Sequence, residues 1–156
     1  LGGRGSGGLK IQELAQSGMD FTTVVSQVSR YINEMETYFV LETLDNLRKT
    51  AGHQVQSLVT STLHIKLLMG ATPEGEICKK GQAMSIKQAL SKMVSLMAAD
   101  PKHEGRRLSI VHCNCLGGLR LKEQIEAKCQ FQQVLILEAG GITTVYANDG
   151  GVVVAY

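Results

Sequence analysis

The longest apolar runs of this chain, among them Val134-Leu135-Ile136-Leu137 and Val152-Val153-Val154-Ala155, are only a handful of residues each. A bilayer span needs about 20, so no segment is expected to cross a membrane. Elsewhere, apolar residues recur at spacings of three and four, the helical period. Strand-like runs alternate with helical stretches early and late, around a hairpin in the middle. That order predicts an α/β fold: a mixed sheet with flanking helices.

Individual segments carry local signals. Leu1 to Gly8 holds five glycines and reads as a loop or linker stub, because ordering glycine costs backbone entropy. Residues 9–15 suggest a short helix stopped by Ser17-Gly18. Asp20 is placed to cap a second, whose Phe21, Val24, Val25, Val28, Tyr31, Ile32 and Met35 form one apolar stripe expected to face a core. Residues 37–41 read as a buried strand, and Thr43 as the cap of a turn of helix carrying Leu44 and Leu47. Residues 53–60 fit a helix. In residues 63–69, Leu63, Ile65 and Leu67 share one strand face, and His64, Lys66 and Leu68 the other. Pro73-Glu74-Gly75 marks a hairpin turn. Residues 85–99 read as a strongly amphipathic helix, ended where Pro101 pushes Asp100 out of the α region. Then follow strand 108–113, helix 116–128, strand 134–137, and a terminal antiparallel edge pair, 142–146 with 152–156, around Asn148-Asp149-Gly150-Gly151.

Composition narrows the function. The chain has 156 residues, 44% hydrophobic and 19% charged, which is globular rather than disordered. A net charge of +2, with four Tyr, three Phe and no Trp, gives no basis for nucleic acid as a partner. The sequence starts without Met or an export signal, and so reads as a possible fragment. Four irregularly spaced cysteines argue against a disulfide framework and for a reducing, cytoplasmic location.

Candidate chemistry is sparse. His112-Cys113-Asn114-Cys115 offers zinc-type ligands, but on a strand Cys113 and Cys115 would share one face and His112 the other, with no paired C-x-x-C elsewhere. Gly3, Gly5 and Gly8 satisfy G-x-G-x-x-G without a preceding strand. No nucleophile with its base is visible. An enzyme reading would use that glycine-rich segment, or His112 with Cys113 and Cys115, for phosphoryl or acyl transfer. His64 and Lys66 alternate on the less apolar strand face, within reach of an anion. Gly140-Gly141 and Gly150-Gly151 bracket a polar turn with Tyr146, Asn148 and Asp149, where backbone N–H groups can converge on an anion. No cofactor is indicated.

Tyr38-Phe39-Val40-Leu41-Glu42-Thr43-Leu44-Asp45-Asn46-Leu47-Arg48-Lys49, Leu63-His64-Ile65-Lys66, Gly75-Glu76-Ile77 with Lys80-Gly81, and Gly141 through Gly151 to Tyr156 follow one another in an order that resembles the DegV family of bacterial fatty-acid-binding proteins. The resemblance implies the second lobe of a two-lobe α/β protein: residues 1–36 as a glycine-rich stub with connecting helices, residues 37–156 as the carboxy-terminal lobe, and a missing amino-terminal lobe as partner. It also implies a carrier rather than an enzyme. Such a protein holds a long-chain fatty acid and presents its carboxylate to a fatty acid kinase, which makes the acyl phosphate. Transferred residue by residue, Tyr146, Asn148 and His53 lie near the head group, Lys66 matches the family's lysine, and Phe39, Ile65 and Leu67 line the tail. Thr50-Ala51-Gly52-His53 replaces the family's glycine-glycine-arginine, and Tyr146 replaces a histidine. A further reading is an interaction domain whose apolar face the absent lobe normally covers.

Overall fold

The computed structural model describes residues 2–43, 65–115 and 117–156. The expected helical turn after Thr43 and the helix at 53–60 lie outside the described residues, as does His53.

Six strands form one mixed sheet: β1 (Thr37–Val40), β2 (Lys66–Ala71), β3 (Ile77–Ala83), β4 (Arg107–His112), β5 (Gln133–Glu138) and β6 (Val152–Ala155), in the order β3-β2-β1-β6-β4-β5. Every described pairing is antiparallel except β4 with β5, which is parallel. A parallel pair needs a crossover, supplied here by α4 (Gly117–Lys128). The β2–β3 hairpin turns at Pro73-Glu74-Gly75 as expected. Gly75 has φ +84°, a conformation that favours glycine, and Thr72 and Glu76 close the turn through a backbone bond of 2.8 Å.

Helix α3 (Ile86–Ala99) bears out its sequence signals. The Ser85 side chain accepts from the Gln88 N–H, and the helix ends before Pro101, whose residue opens a short 3₁₀ turn to His103. Its buried face, Ala89, Leu90, Met93, Val94 and Met97, packs with α4 over one side of the sheet. There Tyr38, Val40, Leu68, Leu108, Ile110, Val152, Val154 and Tyr156 complete the main core. Tyr156 is fully buried, lies edge-on to Phe131 and donates to Asp100 Oδ2 at 2.9 Å.

Four expectations are corrected. The glycine-rich opening is the start of a helix, α1 (Gly2–Gln16), not a loop. Each helical glycine costs roughly 1 kcal/mol relative to alanine, and tertiary packing outweighs that cost. The Ser6 and Ser109 hydroxyls, both buried, meet at 2.7 Å, and Gly5 lies close to the Leu137 side chain. Helix α2 (Phe21–Asn33) is capped by Asp20 as expected, and the bonds from the Thr23 side chain and backbone hold the Asp20 carboxyl below its usual pKa. Its apolar stripe is only partly buried, however: Val28 is covered and Val24, Tyr31 and Met35 are half-buried, whereas Phe21 is 82% exposed, and Val25 and Ile32 are also exposed. The expected strand 142–146 is helix α5 (Gly141–Ala147). Its supposed partner, β6, is no edge strand. Both edges of β6 are taken, by β1 and β4, so no ladder remains for the preceding segment. Finally, Cys113 and Cys115 do not share a strand face. The strand stops at His112, Asn114 turns with φ +49°, and Cys113 joins the second apolar cluster while Cys115 packs against the main core. All four cysteines are free thiols.

Candidate functional site

The antiparallel registers bring distant chain segments to one end of the sheet. Val40 lies opposite Leu68 and Val152, and His112 lies beside Val152 and Glu138. The exits of β1, β4 and β5 therefore meet the starts of β2 and β6. Residues 42–43, 66, 112–114, 138–139 and 148–151 share that end.

Polar side chains there are locked to one another. Lys66 Nζ donates to the Glu42 backbone carbonyl at 2.8 Å and pairs with Glu42 Oε1 at 2.7 Å. Lys66 is thus partly neutralised rather than a bare anion receptor. Asn148 Nδ2 donates to Thr43 Oγ1 at 2.8 Å, and Asn114 Nδ2 donates to Asp149 Oδ1 at 2.9 Å. The backbone ties the loop to β4: the Gly150 N–H donates to the Cys113 carbonyl at 2.7 Å, and the Cys113 N–H to the Gly151 carbonyl at 2.9 Å. His112 Nδ1 is buried and, among the described residues, has no hydrogen-bond partner.

Asn148 caps α5 with φ 55° and ψ 176°. That region is essentially reserved for glycine, and a side chain there costs of order 1–3 kcal/mol. The surrounding bonds hold it, since the Asn148 N–H donates to the Thr144 carbonyl at 3.0 Å while its side chain reaches Thr43.

The polar end abuts an apolar face. On the side of the sheet opposite the main core, Leu41, Leu67, Met69, Cys113 and Ala147 form a second buried cluster, with Phe39, Ile65, Ile77 and Ala139 packed against it. The alternation of β1 and β2 produces this split, because Tyr38, Val40 and Leu68 face the main core while Phe39, Leu41 and Leu67 face away. Phe39, Ile65 and Leu67 are therefore brought together, and Ala147 links them to Asn148. The structure sets Lys66 apart in its pair with Glu42. Tyr146 lies on α5, next to Ala147, but its side chain is outside the described residues. Sequence reasoning assigned no role to Glu42 or Met69, and considered Thr43 only as a helix cap and Cys113 and Asn114 only within the His112–Cys115 cluster. Glu42 and Thr43 lie inside the motif that carried the family resemblance, but nothing local signals that β6 and α5 would meet them.

The family model described as "Uncharacterised protein, DegV family" matches residues 2–156, and the chain belongs to the DegV family. A DegV domain-containing protein of Streptococcus pyogenes is 26% identical over 153 residues, covering 95% of this chain and 53% of its own. The chain thus spans about half the length of the curated relatives it matches. A DegV-family protein of Ruminococcus gnavus, solved with vaccenic acid, is similar at 40% identity and a TM-score of 0.88, over 97% of this chain and 55% of its own. The Streptococcus pneumoniae fatty acid kinase (Fak) B3 protein, loaded with linoleic acid, shares the fold at 24% identity and a TM-score of 0.81, over 94% of this chain and 53% of its own.

Proposed function

We propose that this chain forms the carboxy-terminal half of a fatty-acid-binding carrier. Residues 1–36 serve as the connecting helices, residues 37–156 form the lobe, and an amino-terminal lobe completes the protein. The exposed stripe of α2, Phe21, Val25 and Ile32, supports that arrangement, because so apolar a face is stable in water only when something covers it. The acyl tail lies along the apolar face of Phe39, Ile65 and Leu67. The carboxylate sits at the polar end, near Asn148, Tyr146 and His53, with Lys66 beside it.

The observation that carries this reading is the direct contact of an apolar cluster with a rigid polar end at Ala147-Asn148, in a DegV chain 40% identical to a relative solved with vaccenic acid. A long tail needs little more than such a face: burial contributes about 0.8 kcal/mol per CH₂, and one or two polar anchors set its direction. The protein itself performs no chemistry on the lipid. It offers the acid to a fatty acid kinase, which forms the acyl phosphate.

Organic-solvent extraction of the purified full-length protein, followed by mass spectrometry, tests the proposal. The expected result is a long-chain fatty acid in near-equimolar amount. A full-length protein that emerges empty from every preparation, and takes up none when incubated with lipid, overturns it.

A further inference from the structure

A cavity lies between α3 and α4, on the main-core side of the sheet and away from the proposed lipid face. It holds about 190 Å³ and is lined by Ile86, Lys87, Leu90, Cys115, Arg120, Leu121 and Gln124. Leu90 and Leu121 are buried members of the main core, and Ile86 and Cys115 pack against it, so the floor is apolar and anchored. Lys87 and Arg120 are exposed, and among the described residues neither forms an ion pair or hydrogen bond. By contrast, Lys66, Lys102, Arg106 and Arg107 are each paired with a carboxylate.

We propose that this cleft is a second binding site, one that takes a small carboxylate with a compact apolar body. Charge and shape select that class. Two cations that meet no carboxylate among the described residues, set above an apolar floor, favour an anion whose other end is hydrophobic, and the guanidinium fork of Arg120 matches the two oxygens of a carboxylate. A bare phosphate satisfies the cations but leaves the floor unfilled. The volume limits size: pockets for drug-sized ligands hold roughly 300–1,000 Å³, so this smaller site accommodates a single ring or a short chain and excludes a long acyl tail. The Gln124 amide adds one donor or acceptor beside the charges.

The site differs in position from the lipid face, so its test stands apart from the fatty-acid proposal. The full-length protein, labelled with ¹⁵N, is titrated with 3-phenylpropionate and, separately, with its uncharged analogue 3-phenylpropionamide, and amide shifts are followed by NMR. Saturable shifts are expected at residues 86–90 and 120–124. Affinity for the carboxylate is expected to fall about tenfold or more for the amide analogue, and again for the Lys87→Gln/Arg120→Gln protein, where tenfold corresponds to 1.4 kcal/mol. As a second measurement, bound carboxylate slows modification of Cys115 by a thiol reagent. No saturable shift at these residues, or equal affinity for acid and amide, overturns the proposal. Shifts confined to Phe39, Ile65 and Leu67 also overturn it, while leaving the lipid reading intact.

Discussion

A Cβ on Gly151 would stand 2.3 Å from the carbonyl oxygen of Ala147. Only glycine lets the chain pass so close to the end of α5 and enter β6 at once, and this turn holds Asn148 against Thr43. Gly151→Ala is therefore expected to force a backbone shift and cost about 1–3 kcal/mol, the range for overpacked sites. Urea denaturation checks it: the midpoint should fall with an unchanged slope, and fatty-acid uptake by the full-length protein should fall with it.

Glu42 and Lys66 make a different kind of contact. Their pair is partly exposed, with side chains 46% and 23% accessible, so its contribution to stability is modest, about 1 kcal/mol or less. Glu42→Gln should leave the denaturation midpoint nearly unchanged while freeing the ammonium of Lys66 for an incoming carboxylate. The expected result is tighter fatty-acid binding by the full-length protein, an effect that shrinks as salt is raised. Displacement of a fluorescent fatty acid at two ionic strengths measures both.

Asn148 trades backbone strain for a side-chain anchor. Asn148→Gly relieves about 1–3 kcal/mol of conformational cost and loses a hydrogen bond whose net contribution is about 0.5–1.5 kcal/mol. Thermal denaturation should show equal or higher stability, whereas ligand affinity should drop. A fall in both would mean that the asparagine is chiefly structural.

The buried hydroxyl of Tyr156 predicts an alkaline limit to stability. Burial first, then Tyr38 and Asp100, push its pKa above the usual value near 10. The folded state therefore keeps this proton at pH values where the unfolded chain releases it. The contribution is fully present below about pH 10 and is lost as pH rises beyond it. Tyr156→Phe should flatten the fall in denaturation midpoint above pH 10. At neutral pH it should cost about 1.5–3 kcal/mol, as expected for a bond to a charged acceptor.

Much of the fold was legible where local chemistry and tertiary packing agree. Ser85 at the start of α3, Pro101 after its end, and its three-and-four spacing all point to one helix, as Pro73 and Gly75 point to one turn. Legibility failed where the two compete. Glycines at the start of α1 disfavour helix, but the Ser6–Ser109 contact and packing on β4 favour it. The site was half legible for the same reason. Strand alternation already grouped Ile65 with Leu67, but the pairing of Lys66 with Glu42 depends on which strands become neighbours.

Periodicities, the caps and turns of the best-signalled elements, and membership of the DegV family could all be read along the chain, because they are properties of neighbouring residues or of their order. Packing between distant segments selected helix for residues 142–145 and a paired strand for residues 152–155. Both segments are rich in β-branched residues, and strand propensities span only about 1 kcal/mol, less than the burial and ladder bonds at stake. With β1 and β4 already on both sides of β6, the earlier segment had no strand to join, and as a helix it brings Asn148 to the polar end of the sheet.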